Sequence, residues 1–423
     1  MMNFLLLSSI AALLVINVLA ESSELKWIDM DDHEIALWYN QFDQCMLSQG
    51  RLDSFNPQKS YNYCYKKYYK SSSNSWNDGV CSVTYRCKFA PSKLYQRIDG
   101  YGMNDASLKL VLEFLLYLYQ TNRELVLIGD SITRQTMAGL ACELWRELSS
   151  IIIEPAIGKL KFADVKYTIK IPISEITNNH HHYNHHHKFL DKDIVVSDDG
   201  IQYLSLPVTL FNIWEPFADQ QMKWLKVKMN NMFRKKKKNV VIVFNIGLHE
   251  SDVLSYQSHL KAAFDWAQSI RLLNDINQNN SFYFRETAIQ HFAGSNYGAF
   301  KKGMIRHWEA NIKRNYPQCD ALNESLHTVN KKFWRSIAEE SALKHANQNK
   351  GYSKDDKLYI NRISFRSLTY SLHDIKPSSP LSLSRYERKF FDCTHFCGDY
   401  FPSAWYPLFY QLVKYEASHI LSS

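Results

Sequence analysis

Three short apolar runs, each breaking off in polar residues, constrain the fold of this chain more than anything else in it. Leu125-Val126-Leu127-Ile128 ends in Gly129-Asp130-Ser131. Asn239 to Gly247 reads NVVIVFNIG, and Phe282 to Phe292 reads FYFRETAIQHF. Unbroken apolarity over so few residues predicts strands buried on both faces, as in a parallel sheet. Leu108, Leu110, Val111, Leu112, Phe114, Leu115, Leu118 and Tyr119 predict a strongly apolar helix leading into the first strand. Ile132 to Leu144 and Leu260 to Leu273 predict helices after the first and second. Helix and strand alternate, so the expected class is α/β with a central, mainly parallel sheet between helical layers. In such sheets a ligand site lies beyond the carboxyl ends of the strands, where these runs turn polar.

Composition narrows the function classes. The chain has 423 residues, 45% hydrophobic and 22% charged, which is the balance of a globular protein. Part of its net charge of +8 sits in the run Arg234 to Lys238. That run has no aromatic or Arg companions on one face, so it reads as a solvated loop and nucleic acid is not an expected partner.

The N-terminal segment MMNFLLLSSIAALLVINVLA ends in small residues before Glu21-Ser22-Ser23, as a signal peptide does. The competing reading is an uncleaved anchor with a lumenal body. Either way the expected compartment is the lumen of the secretory pathway or the exterior, with Golgi residence if the anchor is kept. No later segment reads as a membrane span. The 8 cysteines then read as disulfide partners. Zinc is the alternative, although no pair has the close two-residue spacing of a structural zinc site. Asn279 and Asn323 open glycosylation sequons.

The expected organisation is a signal peptide over 1–20, a Cys- and Tyr-rich N-terminal subdomain over 21–105 and a catalytic domain over 106–423. Two low-complexity insertions are expected within it, near 178–188 and 234–238. The first holds His180, His181, His182, His185, His186 and His187. It reads as a surface loop, since nothing near it in sequence supplies supporting groups for a metal site; adventitious metal capture is the competing reading.

Two motifs carry chemistry. Ser131 lies between strand and helix, where backbone N–H groups point outward toward an anion or a developing oxyanion. Its two readings are a nucleophile and a helix cap. Far downstream, Asp392-x-x-His395 lets a carboxylate fix an imidazole so that its other nitrogen faces a hydroxyl. Either motif alone is common. Together they suit a Ser-His-Asp triad.

These residues resemble the PC-esterase branch of the SGNH (GDSL-type) hydrolases. That branch includes the trichome-birefringence-like and Cas1p-like glycan O-acetyltransferases. The resemblance rests on GDSITRQ followed by Cys142, on FNIGLH (Phe244 to His249), on RETAIQHF (Arg285 to Phe292) and on DCTHFC…PSAW (Asp392 to Trp405). It covers roughly 80 to 423 and implies a three-layer α/β/α fold. It implies Ser131 as nucleophile, His395 as general base and then acid, and Asp392 as its orienter. It also implies oxyanion donors at the Ser131 N–H and the Asn245 side-chain amide; losing one such donor costs about 3 kcal/mol. Arg285 and His291 are implied to line the cleft. The chain departs from the pattern at Phe396, at Ser403, at the position of His249, and in Leu206 to Pro216, which has no glycine for a further oxyanion N–H.

By the same resemblance, Cys142 and Cys397 would pair with two of Cys45, Cys64, Cys81 and Cys87, and Cys319 with Cys393. The N-terminal subdomain would then be disulfide-held against the catalytic domain. The implied activity is serine-dependent acyl-ester chemistry, hydrolysis or O-acetyl transfer, with an acyl donor and a carbohydrate acceptor. It implies neither metal nor organic cofactor. The alternative is a catalytically inactive glycan-binding or cell-surface protein on the same fold.

Overall fold

The computed structural model describes residues 25–29, 93–97, 110–148, 151–155, 164–179, 193–212, 239–250, 252–273, 280–291, 325–353, 358–369 and 408–416, with isolated positions between. The N-terminal apolar segment, the histidine tract at 180–187, the lysine run, both sequon asparagines and every cysteine side chain lie outside the described residues.

The first apolar run is β3 (Arg123–Gly129), buried along its whole length. It follows α1 (Leu110–Gln120) and feeds α2 (Ser131–Glu147). The second run is β8 (Asn239–Phe244), followed by α4 (Val253–Leu273); the third is β9 (Ser281–Arg285). With β7 (Gln202–Asn212) and β10 (Asn361–Ile363) they form a parallel stretch in the order β10-β9-β8-β3-β7. Beyond β7 the sheet turns antiparallel through β5 (Val165–Pro172) and β4 (Ile152–Glu154), and β6 (Ile194–Val196) also pairs β7 antiparallel. A short helix α3 (Ile173–Asn179) follows β5. Separately, β1 (Leu25–Asp29) pairs β2 (Lys93–Arg97) antiparallel.

Strand alternation divides the core in two. Leu125, Leu127, Val241, Val243 and Tyr283 face α1, α2 and the helical stretch 408–416. Val126, Ile128, Ile242, Phe244, Phe282 and Phe284 face α4 and α6 (Trp334–Asn347), the latter preceded by the short helix α5 (Leu326–Lys332). Ala338, Ala342 and Ala346 recur at helical spacing in this second core, so α6 presents a row of small residues there. Each buried Leu, Ile or Phe contributes about 1.5–3 kcal/mol, and the two clusters close the sheet on both faces. The expected α/β architecture with a central, mainly parallel sheet is what the chain adopts.

Several elements differ in length from the sequence reading, three of them for a local reason that the hydrogen bonds show. The third strand ends at Arg285 rather than at Phe292. Past it, side chains take the backbone N–H groups that a ladder would use: Thr287 N–H goes to Glu339 Oε1 and Ile289 N–H to Thr369 Oγ1, both at 3.0 Å. The second strand stops at Phe244, where the Asn245 side chain closes a turn. Helix α4 begins at Val253 rather than Leu260 because Asp252 accepts the Ser255 N–H at 2.9 Å and caps it.

The sheet has a topological switch point. In chain order, β3 is followed by β7 on one side and then by β8, β9 and β10 on the other. Connections therefore diverge at the carboxyl ends of β3 and β8, which leaves the crevice where open α/β sheets bind ligands.

Candidate active site

The turn after β3 sits at that crevice. Asp130, not Ser131, is the N-cap of α2: its Oδ1 accepts the Ile132 N–H at 3.0 Å. The capping role that competes for Ser131 is thus filled by its neighbour. Ser131 is the first residue of a 17-residue helix, at the positive end of its dipole. It is largely buried. The second oxygen of Asp130, Oδ2, accepts the Leu248 N–H at 3.3 Å, joining the turn after β3 to the turn after β8.

The two turns approach closely, and glycine makes this possible. A Cβ on Gly129 would lie 2.2 Å from Thr133 Oγ1 and 2.3 Å from the Asn245 carbonyl oxygen. A Cβ on Gly247 would lie 2.0 Å from Thr287 Oγ1 and 2.3 Å from the Tyr256 hydroxyl oxygen.

Asn245 is fully inside this junction. Its backbone N–H bonds the Ile128 carbonyl at 2.9 Å. Its side-chain amide donates to the Arg285 carbonyl at 2.7 Å and to Thr287 Oγ1 at 3.1 Å, and its Oδ1 accepts the Gly247 N–H at 3.3 Å. Both amide hydrogens are therefore engaged within the fold. Serving an oxyanion, as expected from the sequence, requires one of these bonds to be released.

Arg285, at the end of β9, is buried beneath the serine turn. Its Nη2 donates to Thr133 Oγ1 at 3.3 Å, and its guanidinium lies 4.8 Å from the centre of the Phe365 ring. Its Nη1 has no hydrogen-bond partner among the described residues. Burial lowers its pKa to about 10, opposed by the attraction of Asp130. It remains a cation at neutral pH, close to where negative charge would develop. His291, the other expected cleft residue, is fully buried at the end of the extended segment after β9. Asp392 and His395 lie outside the described residues.

Several residues that sequence reasoning did not single out complete the site's support. Arg335, on α6, donates to Gln290 Oε1 at 2.9 Å and to the Leu248 carbonyl at 3.0 Å, with its guanidinium 4.5 Å from the Trp334 ring centre. Burial lowers its pKa to about 10 as well. Tyr256, Thr287 and Glu339 form a connected polar group behind Asn245. Thr287 and Gln290 lie in RETAIQHF and Arg335, Tyr256 and Glu339 in no motif; they meet only once α4, α6 and the segment after β9 are packed. Glu286 accepts the Phe365 and Arg366 N–H groups at 3.0 Å and so anchors α7 (Arg366–Thr369) beside the crevice.

The arrangement offers a hydroxyl at a helix N-terminus, a neighbouring buried cation and a rigid pair of strand-end turns. Those are the parts that acyl transfer uses to hold a nucleophile and to stabilise an oxyanion. Among the described residues, no group of three or more His, Cys, Asp or Glu side chains gathers to hold a metal ion. In comparisons with known proteins, the family model PC-Esterase, described as the GDSL/SGNH-like acyl-esterase family found in Pmr5 and Cas1p, matches residues 113–412. No curated protein matches the chain.

Proposed function

Because the chain belongs to the PC-esterase family, we propose that it is a serine-dependent acyl esterase or O-acetyltransferase of the secretory pathway, acting on a carbohydrate. The position of Ser131 carries this reading: first residue of α2, at the switch point, with the cap supplied by Asp130. The family's chemistry calls for an acyl donor and an acceptor, and the carbohydrate follows from the resemblance to glycan O-acetyltransferases.

In the proposed reaction, His395 takes the proton from Ser131 Oγ as it attacks the acyl carbonyl, and Asp392 holds the imidazolium. The tetrahedral oxyanion is met by the Ser131 N–H and the positive end of α2, with the Arg285 charge behind them. Collapse expels the donor's alcohol, protonated by His395, and leaves an ester on Ser131. A sugar hydroxyl or water, deprotonated by the same imidazole, then removes the acyl group. Exclusion of water during that second step favours transfer over hydrolysis.

The test is turnover of p-nitrophenyl acetate and the mass of the enzyme after exposure to an acetyl donor. An acetyl adduct on Ser131 that glycan discharges faster than water supports transfer; faster discharge by water supports hydrolysis. Ser131→Ala should reduce turnover at least a thousandfold, as removal of a triad member does. One observation favours a second reading, an inactive glycan-binding protein: both amide hydrogens of Asn245 are committed inward. That reading requires wild type and Ser131→Ala to be equally inactive.

A further inference from the structure

We propose that Glu339, Tyr256 and Thr287 are positioning residues that form a one-way hydrogen-bond relay, locking the Asn245 amide inward and through it fixing the turn that carries Ser131. The direction follows from donor and acceptor chemistry. Glu339 is ion-paired with Arg366 and also accepts the Thr287 backbone N–H, so it is a carboxylate and only accepts. The Tyr256 hydroxyl, 2.8 Å from Glu339 Oε1, must donate its hydrogen there. Tyr256 then has only lone pairs left for Thr287 Oγ1, 3.0 Å away, so the threonine hydroxyl donates to the tyrosine. Thr287 in turn has only lone pairs to offer Asn245, which must present its NH2 side at 3.1 Å.

The far end of the amide agrees with that orientation. Turned over, it would set oxygen against the Arg285 carbonyl and N–H against the Gly247 N–H. Held as it is, Oδ1 binds Gly247 N–H and shapes the turn that aims Leu248 N–H at Asp130. Asp130 then caps α2 beside Ser131. A charge on α6 is thereby connected to the serine turn through side chains from three separate elements. Burial pushes the Tyr256 hydroxyl well above its ordinary value, so it keeps its proton throughout the working pH range. Chains of hydrogen bonds of this kind polarise and stiffen one another in a dry interior. In this scheme Asn245 is itself a positioning residue, and the oxyanion is met by the Ser131 N–H at the positive end of α2.

The catalytic consequence rests on Ser131 being the nucleophile; the relay itself does not. The test uses the full chain labelled with 15N-asparagine, the Asn245 side-chain signal being identified by its loss in Asn245→Ser. Solvent exchange of that amide and p-nitrophenyl acetate kinetics are measured in Tyr256→Phe, Thr287→Val and Thr287→Ser. The expected result is faster exchange in Tyr256→Phe and Thr287→Val, with both measures returning toward wild type in Thr287→Ser. Turnover should fall about ten- to a hundredfold in kcat at unchanged KM, the size of effect that small misplacement of a reacting group produces. Exchange in Tyr256→Phe and Thr287→Val indistinguishable from wild type would overturn the relay whatever the kinetics. Faster exchange with no turnover in the wild type would uphold the relay and remove the acyl-ester reading instead.

Discussion

Single atoms decide the geometry of the serine turn. Gly129 has no room for a methyl group, with Thr133 Oγ1 and the Asn245 carbonyl both closer than contact distance to where it would sit. Gly129→Ala must push β3 and β8 apart at their ends or shift the first turn of α2. We expect a loss of about 1–3 kcal/mol in urea unfolding, the usual cost of overpacking, and a larger proportional loss of turnover than of stability. An alanine variant that unfolds at the wild-type midpoint would mean the two turns have slack. Asp130→Ala removes the cap of α2, a loss of about 1 kcal/mol, and also frees the Leu248 N–H. At this scale the sequence was partly legible. Ser131 stood out because Gly-Asp-Ser breaks an apolar run. Arg285 stood out too, but its depth did not, because a strand-end arginine looks the same in sequence whether it faces a cleft or lies over Phe365.

Elements are held together by buried charge at the opposite end of the sheet. Arg123, at the start of β3, is ion-paired with Glu416 in the stretch 408–416 and donates to Ser281 Oγ at the start of β9 at 2.6 Å. Tyr283 donates to the same carboxylate at 2.6 Å. Burial alone would raise the Glu416 pKa, but Arg123 and the hydrogen bonds outweigh it and hold the carboxyl below its ordinary 4.5. A depressed folded pKa contributes stability that is complete above the unfolded value and disappears as pH falls through the folded one. Wild type should therefore lose stability on acidification below about pH 4.5 more steeply than Glu416→Gln. Glu416→Ala, which strands a buried guanidinium, should cost about 3–5 kcal/mol in chemical unfolding at neutral pH. Equal acid sensitivity of wild type and Glu416→Gln would show the pair to be unimportant. The strands of this clasp, β3 and β9, were readable as apolar runs; the helical stretch 408–416 was not read. The antiparallel flank of β4 to β7 was not read, although Tyr167, Ile169 and Ile171 alternate with Lys166 and Lys170. Its strands lack the unbroken apolarity that marks a fully buried one, because this side of the sheet is only half covered.

For the whole molecule, the doubly wound strand order makes one crevice out of turns far apart in sequence. That order was not legible, since alternation of helix and strand is the same for many orders. What selects it is the pairing of β3 with β7 on one side and β8 on the other. The support behind Asn245 was illegible for the same reason: Tyr256, Thr287 and Glu339 become neighbours only when both helices lie on the same face. The pair formed by Arg123 and Glu416 joins positions 293 residues apart. A ribosome delivers Arg123 293 residues before Glu416, so the innermost strand waits for all of that stretch before its guanidinium is neutralised. Chains cut short by a premature stop should accordingly stay protease-sensitive, and pulse-chase sampling should find resistance arising only after position 416 has left the exit tunnel.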